Sequence, residues 1–390
     1  MRYFSIAAAV ILVAVIPALA QEIPDCSDWQ IYPDTALVRD AAAACIIVRP
    51  SGGNEYAAAA ETLAEGLQKR YGTEFQVVPD TQVCPERISP IGEQFRVANL
   101  ILLGNVHTNR AFLHFYAGFR CGADSHYPGG EGYEIRSICN PWGNGHNVLI
   151  VGASTPAGIR SGVQRFLQIA PDLQDGQAIL PHTVDIQPGE SFQDRFDAWN
   201  AEAERWEFQP FAARDHVAIH LYGPAIKYQW TGNDKWAAAA RDVIHFFNKV
   251  YEDQYPISDY EFDPWFRAWD FIDEHPVFTE DDLDGTIPRM VETAFKMQRC
   301  GSRGARYAGT RHTTQGSLGA FTSARYINRT FPDNERLQEL SSTWIQERRE
   351  HFHYCYSGYR DDRDSTESMD SIISYLRWEN ISCYTSFLTP

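Results

Sequence analysis

The sequence predicts a mixed α/β unit followed by an all-α unit built from stacked helix hairpins. Between residues 44 and 167, apolar runs of strand length alternate with amphipathic runs of helix length, an order typical of an α/β layer. After Pro188 the strand-like runs stop and helical periodicity dominates. The 390 residues are enough for two domains of ordinary size, so we expect both units in one chain.

The first unit is predicted to occupy residues 21–188. Its strands are expected at residues 45–48, 75–78, 100–103, 133–137 and 148–151, and its helices at 56–71, 109–116 and 156–168. The segments 133–137 and 148–151 are expected to pair as neighbouring strands. The last helix is amphipathic, with Ile159, Val163 and Phe166 on one face, so we expect it to cover the sheet.

The second unit is predicted to occupy residues 194–390 and to be entirely helical. Tryptophan and tyrosine are frequent in it, and apolar residues recur at helical spacing. Helices are expected at residues 201–222, 235–251, 264–272, 280–297, 312–328, 334–351 and 365–386. Successive helices joined by short loops predict paired, stacked hairpins.

Residues 1–20 have the features of a cleavable signal peptide. Arg2 precedes an unbroken apolar run at residues 6–16, and small residues precede Gln21. That run is too short to span a bilayer. We therefore expect a secreted or periplasmic protein with no membrane span after signal cleavage.

The net charge, the cysteine content and the absence of several motifs argue against some classes of partner and cofactor. A net charge of −17 argues against nucleic acid as a partner. Without a C-x-x-C pair or a dinucleotide-binding G-x-G-x-x-G motif, we expect neither a metal nor another cofactor. In an oxidising compartment, an even number of cysteines predicts several disulfides, and the sequence does not determine which cysteines pair. The cysteines are Cys26, Cys45, Cys84, Cys121, Cys139, Cys300, Cys355 and Cys383.

Part of the first unit resembles a known accessory domain. The segment VLIVGASTPAGIRSGVQRFLQ at residues 148–168, together with IIVRP at 46–50 and NLILLG at 99–104, is similar to the small α/β domain that precedes the catalytic domain in beta-hexosaminidases and alpha-glucuronidases. In those enzymes this domain is structural. The resemblance therefore implies an accessory role for residues 21–188, with no catalytic residues.

The second unit resembles the heparinase II/III-type polysaccharide lyases and their alginate-lyase relatives. The carrying segment, residues 310–368, begins TRHTTQGSLGAFTSARYINRTFPDN and ends YCYSGYRDDRDSTES. The stretch IKYQWTGNDKWAAAARDVIHFF at 226–247 is similar to a hairpin of the same (α/α) toroid. The resemblance implies an incomplete α/α toroid, because the family continues with further helix pairs, and cleavage of an anionic, uronate-containing polysaccharide or oligosaccharide.

The resemblance assigns roles to individual positions. The family's histidine falls on His312, and its acidic residue after the loop falls on Glu367. Two positions differ, because the family's asparagine falls on Arg311 and its Tyr-His pair falls on residues 372–373, which leaves Tyr375 as the nearest phenol.

These positions match the chemistry of β-elimination from a uronate. Such a reaction needs a cation for the carboxylate, a base for the C5 proton and an acid for the leaving O4. Arg311 fits the first role because a guanidinium binds carboxylate in bidentate fashion, and His312 fits the second because its pKa lies near neutrality. Tyr359 or Tyr375 fits the third. The alternative for Arg311 and His312 is an ordinary place in the first turn of a helix.

Further residues are predicted to bind the substrate. They are Gln315, Arg360, Glu367, Trp265 and Trp269. Trp265 and Trp269 share a helix face, which is typical of a core as well as of a sugar-binding platform. Glu367 equally suits the N-terminus of a helix, and the tyrosine-rich and arginine-rich loop at 354–363 equally suits an ordinary surface loop.

Two other functions remain open. A toroid glycoside hydrolase needs two carboxylates about 5–10 Å apart in one cleft, and the available candidates are Asp263, Glu274, Asp361, Asp362 and Glu367. A non-catalytic glycan-binding protein is the second alternative, since the family's asparagine and tyrosine are replaced.

Overall fold

The computed structural model describes residues 23–210, 217–250, 261–302 and 311–358. These residues form helices and two β-sheets, the larger of which is mixed. The predicted combination of helix and sheet is therefore confirmed. The strands lie within residues 35–187, and from Glu190 onward the described elements are helices.

The larger sheet has six strands in the order β4-β3-β5-β7-β6-β9. Strands β4, β3, β5 and β7 are parallel, whereas β6 and β9 are antiparallel to their neighbours. The predicted pairing of residues 133–137 with 148–151 is confirmed as β6 against β7, with Ile135 opposite Val151. The strands are β3 Cys45–Arg49, β4 Val77–Pro79, β5 Asn99–Gly104, β6 Tyr133–Ile138, β7 Val148–Gly152 and β9 Val184–Gln187.

Side chains of β5 alternate between the two faces of this sheet. Ile101 and Leu103 belong to one core and Leu100 and Leu102 to the other, and all four are fully buried. Because both faces are covered, the strand is continuously apolar. Helices α1 and α5 cover the first face, and α2 and α4, with a 3₁₀ turn at Arg110–Phe112, cover the second. The helices of this half are α1 Asn54–Tyr71, α2 Asp80–Val83, α3 Glu93–Arg96, α4 Leu113–Tyr116 and α5 Pro156–Ile169.

A second sheet was not predicted from the sequence. It has the order β2-β1-β8 and consists of β1 Thr35–Arg39, β2 Ala42–Ala43 and β8 Ala178–Leu180. Strand β9 was also missed. These strands are two to five residues long, which is too short for alternation to separate a strand from a loop. Strands β1 and β2 are neighbours in the sequence, whereas β8 and β9 pair with strands far away in the sequence and are brought to them only by the tertiary fold.

The helical half agrees closely with the prediction. Five of its helices begin within two residues of their expected starts, and residues 365–386 lie outside the described part of the chain. The helices are α6 Glu190–Ala203, α7 Val217–Thr231, α8 Asp234–Val250, α9 Phe262–Asp270, α10 Glu280–Ser302, α11 Arg311–Thr330 and α12 Glu335–Gly358.

The prediction of a single helix over residues 201–222 is wrong. Helix α6 ends at Ala203, and residues 206–210 are not helical. Pro210 provides the physical reason, because proline lacks the N–H donor and disfavours helical geometry at the preceding residue.

The helices share an aromatic core. Trp236, Trp265 and Trp269 are all fully buried in it. Gly319 on α11 faces Phe262 on α9, and a Cβ at this glycine would overlap the phenyl ring. The absence of that side chain therefore allows the two helices to approach closely.

The predicted disulfides are not formed among the described cysteines. Cys26, Cys45, Cys84, Cys121 and Cys139 are buried and unpaired. The side chains of the other three cysteines lie outside the described part. Burial explains how the five thiols are accommodated without pairing, because cysteine packs as a small apolar residue.

Within the described residues, no helix has the length and apolarity needed to cross a membrane.

Candidate functional site

A cavity of about 390 Å³ lies between the α/β half and the helical half. The first half contributes residues from 90–143, and the second contributes side chains from α9, α11 and α12. Its charged lining consists of five arginines and one carboxylate, namely Arg96, Arg120, Arg267, Arg325, Arg329 and Asp270.

Arg329 is the most enclosed of these cations. Its Nε lies 2.8 Å from Oδ1 of Asp270, and a terminal nitrogen lies 2.6 Å from Oδ2 of Asp273. The other terminal nitrogen is paired with Glu274. The Arg329 side chain is only 8% exposed, so one nearly buried guanidinium holds the buried Asp273 and Glu274 and the partly buried Asp270 beneath the cavity.

Arg120 connects the two halves of the molecule. It belongs to the loop after α4, and its guanidinium pairs with Asp270 on α9, 150 residues away in the sequence. A second connection runs from Nδ2 of Asn140 to the backbone carbonyl of Arg329, at 3.0 Å. These contacts fix the cavity wall formed by the α/β half against the wall formed by the helices.

The buried carboxyl groups differ in protonation. Burial alone would raise the pKa of Asp270, but the nearby Arg120, Arg329 and Arg325 outweigh it and lower that pKa. Burial raises the pKa of Asp273 well above its ordinary value, and the adjacent Glu274 adds to the rise despite Arg329. Asp270 is therefore ionised at neutral pH, whereas Asp273 binds a proton more readily than an ordinary carboxyl group does.

The cavity lining is rich in guanidinium groups. Five arginines and one carboxylate belong to it, in a chain whose net charge is −17. Arg267 is paired with Asp263 at 2.8 Å, and Arg329 with Asp270, Asp273 and Glu274. A local concentration of cations favours an anionic ligand.

A neutral imidazole lines the same cavity. Nε2 of His114 lies 2.9 Å from the carbonyl oxygen of Ser89, which can only accept a hydrogen bond, so Nε2 carries the hydrogen. Burial lowers the pKa of His114, and the nearby Arg96 lowers it further. Nδ1 of His114 thus has a free lone pair with which to accept a proton.

A phenol also lines the cavity. The hydroxyl of Tyr326 accepts a 2.7 Å hydrogen bond from Nε1 of Trp269. Burial raises the pKa of Tyr326 well above its ordinary value, so the hydroxyl keeps its proton.

The structure does not describe the side chains of the predicted catalytic residues, so their roles stay predictions. Arg311, His312 and Gln315 are in the first turns of α11, and the structure does not describe their side chains. His312 precedes Arg325 by 13 positions, which corresponds to about 20 Å along the helix axis. Four other predicted site residues lie outside the described part of the chain, namely Tyr359, Arg360, Glu367 and Tyr375.

Trp265 and Trp269 belong to the core and not to a sugar platform. Both are 0% exposed. Nε1 of Trp265 lies 2.9 Å from Sδ of Met290, and Trp269 bonds to Tyr326. A sugar stacks on an exposed ring face, so the substrate-binding prediction for these two residues is corrected in favour of core packing.

The carboxylates named for a hydrolase are only partly described. Asp263 and Glu274 are buried, and each is paired with an arginine, Arg267 and Arg329 respectively. Asp361, Asp362 and Glu367 lie outside the described residues.

The sequence reasoning missed the cavity residues. Arg325 and Arg329 are four positions apart on α11, a spacing that places both on one helix face, and this pattern was visible in the sequence. His114 and Arg120 carried no comparable signal, since they are close to α11 only in the folded chain.

Within the described residues, no group of three histidine, cysteine, aspartate or glutamate side chains is arranged to hold a metal ion. A comparison with models of known protein families finds no match to this chain. A search of curated proteins finds no match either.

Proposed function

We propose that the protein is a secreted enzyme that cleaves a uronate-containing glycan by β-elimination, with an accessory α/β domain and a helical domain of the (α/α) toroid type. The observation that carries the proposal is the excess of guanidinium groups around one cavity of about 390 Å³. Carboxylates are the groups that arginine binds best, because two N–H donors match two oxygens.

The toroid part of the proposal rests on the resemblance and on the packing of consecutive helices. Helices α7 and α8 contact each other extensively, and so do α11 and α12. Such contacts between sequence neighbours are typical of stacked hairpins.

In the proposed reaction, Arg325 binds the uronate carboxylate. Its side chain is the exposed member of the lining arginines, whereas Arg329 is buried under the cavity. Binding of the carboxylate to a cation makes the C5 proton more acidic, because negative charge that develops at C5 is stabilised.

His114 is assigned as the base. Its neutral imidazole has a free lone pair on Nδ1, as a base for the C5 proton requires. The resemblance instead names His312, so the two histidines give different expectations. The predicted acids for the leaving O4 are Tyr359 and Tyr375, because the hydroxyl of Tyr326 is buried and bonded to Trp269.

The test is ultraviolet absorbance of unsaturated uronate during incubation of the chain with alginate, heparan, chondroitin, ulvan and glucuronan. We expect absorbance to rise with at least one substrate. Removing a general base lowers kcat by about 10²–10⁴-fold, so His114→Ala should do so. Arg325→Ala should mainly raise KM. Arg336→Ala is the matched control, because this arginine on α12 is 57% exposed and outside the cavity lining.

Each alternative gives a different result. If His312→Ala abolishes activity and His114→Ala does not, the base is the one named by the resemblance. New reducing ends without ultraviolet absorbance would indicate a hydrolase. A glycan that binds in calorimetry and is never cleaved would indicate a binding protein, and both of these results would refute β-elimination.

A further inference from the structure

A second cavity, of about 470 Å³, lies in the α/β half. Its lining residues are distant in the sequence from the helices that line the first cavity. Its lining comes from three loops that follow strands β3, β4 and β5. The polar members of the lining are Ser51, Asp80, Glu86, Arg87, His107, Thr108 and Arg110.

The topology explains why an opening exists here. Strands β3 and β5 are parallel neighbours, so their carboxyl ends lie at the same edge of the sheet. After β3 the chain continues into α1 on one face, and after β5 it continues into the 3₁₀ turn and α4 on the opposite face. Where connections leave adjacent parallel strands toward opposite faces, a crevice forms outside the strand ends, and ligands of open α/β sheets bind in such crevices.

Asp80 holds this crevice in a defined shape. It begins α2, directly after β4, and its side chain is nearly fully buried. Oδ1 accepts a 2.8 Å hydrogen bond from the backbone N–H of Ser51, and Oδ2 accepts a 2.7 Å bond from the backbone N–H of Arg110. One carboxylate therefore ties together the loops that follow β3 and β5, so the crevice is formed before any ligand binds.

Two guanidinium groups face this opening. Arg110 donates to the backbone carbonyls of Cys84 and Pro85, and Arg87 donates 3.2 Å to the carbonyl of Val106. Carbonyl partners position the guanidinium groups but do not cancel their charge, because a carbonyl oxygen carries no net charge. The same lining also holds Asp80 and Glu86, and the Asp80 oxygens are directed at the backbone N–H groups of Ser51 and Arg110. Each arginine also has further N–H donors, which leaves donors available for an anion.

We propose that this crevice is a second binding site, for a monosaccharide-sized ligand that carries an oxyanion, either a carboxylate or a phosphate. Its volume lies within the range of about 300–1,000 Å³ that is typical of small-molecule pockets. Arg87 and Arg110 bind the anionic group, and His107 and Thr108 line the space beside it. The α/β half would then have a binding role besides the structural one that its resemblance implies.

Gly52 offers a test that leaves the arginines in place. A Cβ at this position meets no atom within 4 Å, and Gly52 belongs to the cavity lining. Gly52→Asp adds a negative charge beside the crevice, and Gly52→Asn adds the same shape without the charge. Isothermal titration calorimetry of the full chain with glucuronate and with glucose 6-phosphate, beside glucose, measures the effect.

We expect saturable binding of at least one of the two acids and none of glucose, and the acid that binds identifies the anionic group. Gly52→Asp should weaken that binding by about tenfold or more, since like charges a few ångströms apart repel each other, while Gly52→Asn keeps it. The part of the binding that Gly52→Asp weakens should persist in Arg325→Ala, which separates this site from the proposed catalytic cavity.

Three results would overturn the proposal. The first is that neither acid binds saturably, and the second is that glucose binds as tightly as the acids. The third is that Gly52→Asp and Gly52→Asn bind the acid with equal affinity although circular dichroism shows that both variants are folded. None of these results depends on whether the protein cleaves a glycan.

Discussion

Arg329→Met tests whether the charge network beneath the arginine-lined cavity holds the fold together. The guanidinium lies within 2.8 Å of carboxyl oxygens of Asp270 and Asp273, and it also pairs with Glu274. Methionine keeps much of the chain length and removes the charge. The substitution therefore leaves buried carboxylates without their cation.

The expected loss is about 3 kcal/mol in the free energy of unfolding at about pH 7. Removing one partner of a buried ion pair costs about 3–5 kcal/mol, and the lower end applies because Arg120 remains paired with Asp270 after the substitution. In the native protein, Asp270 has a lowered pKa and stabilises the fold above the unfolded-state pKa. Without Arg329 this pKa rises, so the loss should shrink as the pH falls and the carboxylates bind protons.

The measurement is urea unfolding followed by tryptophan fluorescence at about pH 7 and about pH 4, which spans the ordinary carboxyl range. Arg336→Met is the control, because its exposed pair with Glu339 contributes about 1 kcal/mol or less. Adding Asp270→Asn to Arg329→Met should recover part of the loss. A loss below about 1 kcal/mol at neutral pH, or an equal loss at both pH values, would refute the reasoning.

Three further predictions concern stability and thiol chemistry. Gly319→Ala should lower the free energy of unfolding by about 1–3 kcal/mol, because the added Cβ meets Phe262. Gly285→Ala on α10 should raise the free energy of unfolding by about 0.5–1 kcal/mol, because its Cβ has room and alanine favours a helix. Thermal unfolding midpoints that shift in the same direction in both variants would contradict this. Burial lowers the pKa of His182 to about 3 in the folded protein. Below about pH 6.5 the unfolded chain binds a proton at this histidine and the folded protein does not, so the stability that the neutral His182 contributes should be lost as the pH falls. In urea unfolding, His182→Gln should weaken this dependence of stability on pH. We expect iodoacetamide, added without reductant, to leave the buried thiol of Cys84 unmodified in the native protein and to modify it after unfolding, as measured by mass spectrometry. If Cys84 were in a disulfide, it would be modified in neither state.

Local sequence patterns predicted the regular elements well where the elements are long. Helix α8 was expected at residues 235–251 and occupies Asp234–Val250, and strand β5 was expected at 100–103 and occupies Asn99–Gly104. Periodicity repeats over several turns or a full apolar run in these segments, so the signal is strong. It was weak for the strand Ala178–Leu180, which is three residues long.

The candidate site could not be predicted in the same way. The helix carrying His312 was located correctly, and the sequence pointed to α11 as an important element. It did not indicate that Arg325 and Arg329, at the other end of that helix, line a cavity with His114. Contacts between residues separated by more than 200 positions leave no periodic trace in one sequence.

The sequence by itself determined the order of the longer strands and helices and the acidic character of the chain. Only the tertiary structure decided which polar groups meet, and with that their charge states. Arg120 meets Asp270 across 150 residues, and Asp80 joins the loops after two parallel strands. The physical reason is that secondary structure follows from interactions within a few residues, whereas the pKa of a buried group depends on every charge and on the solvent that the whole fold places around it.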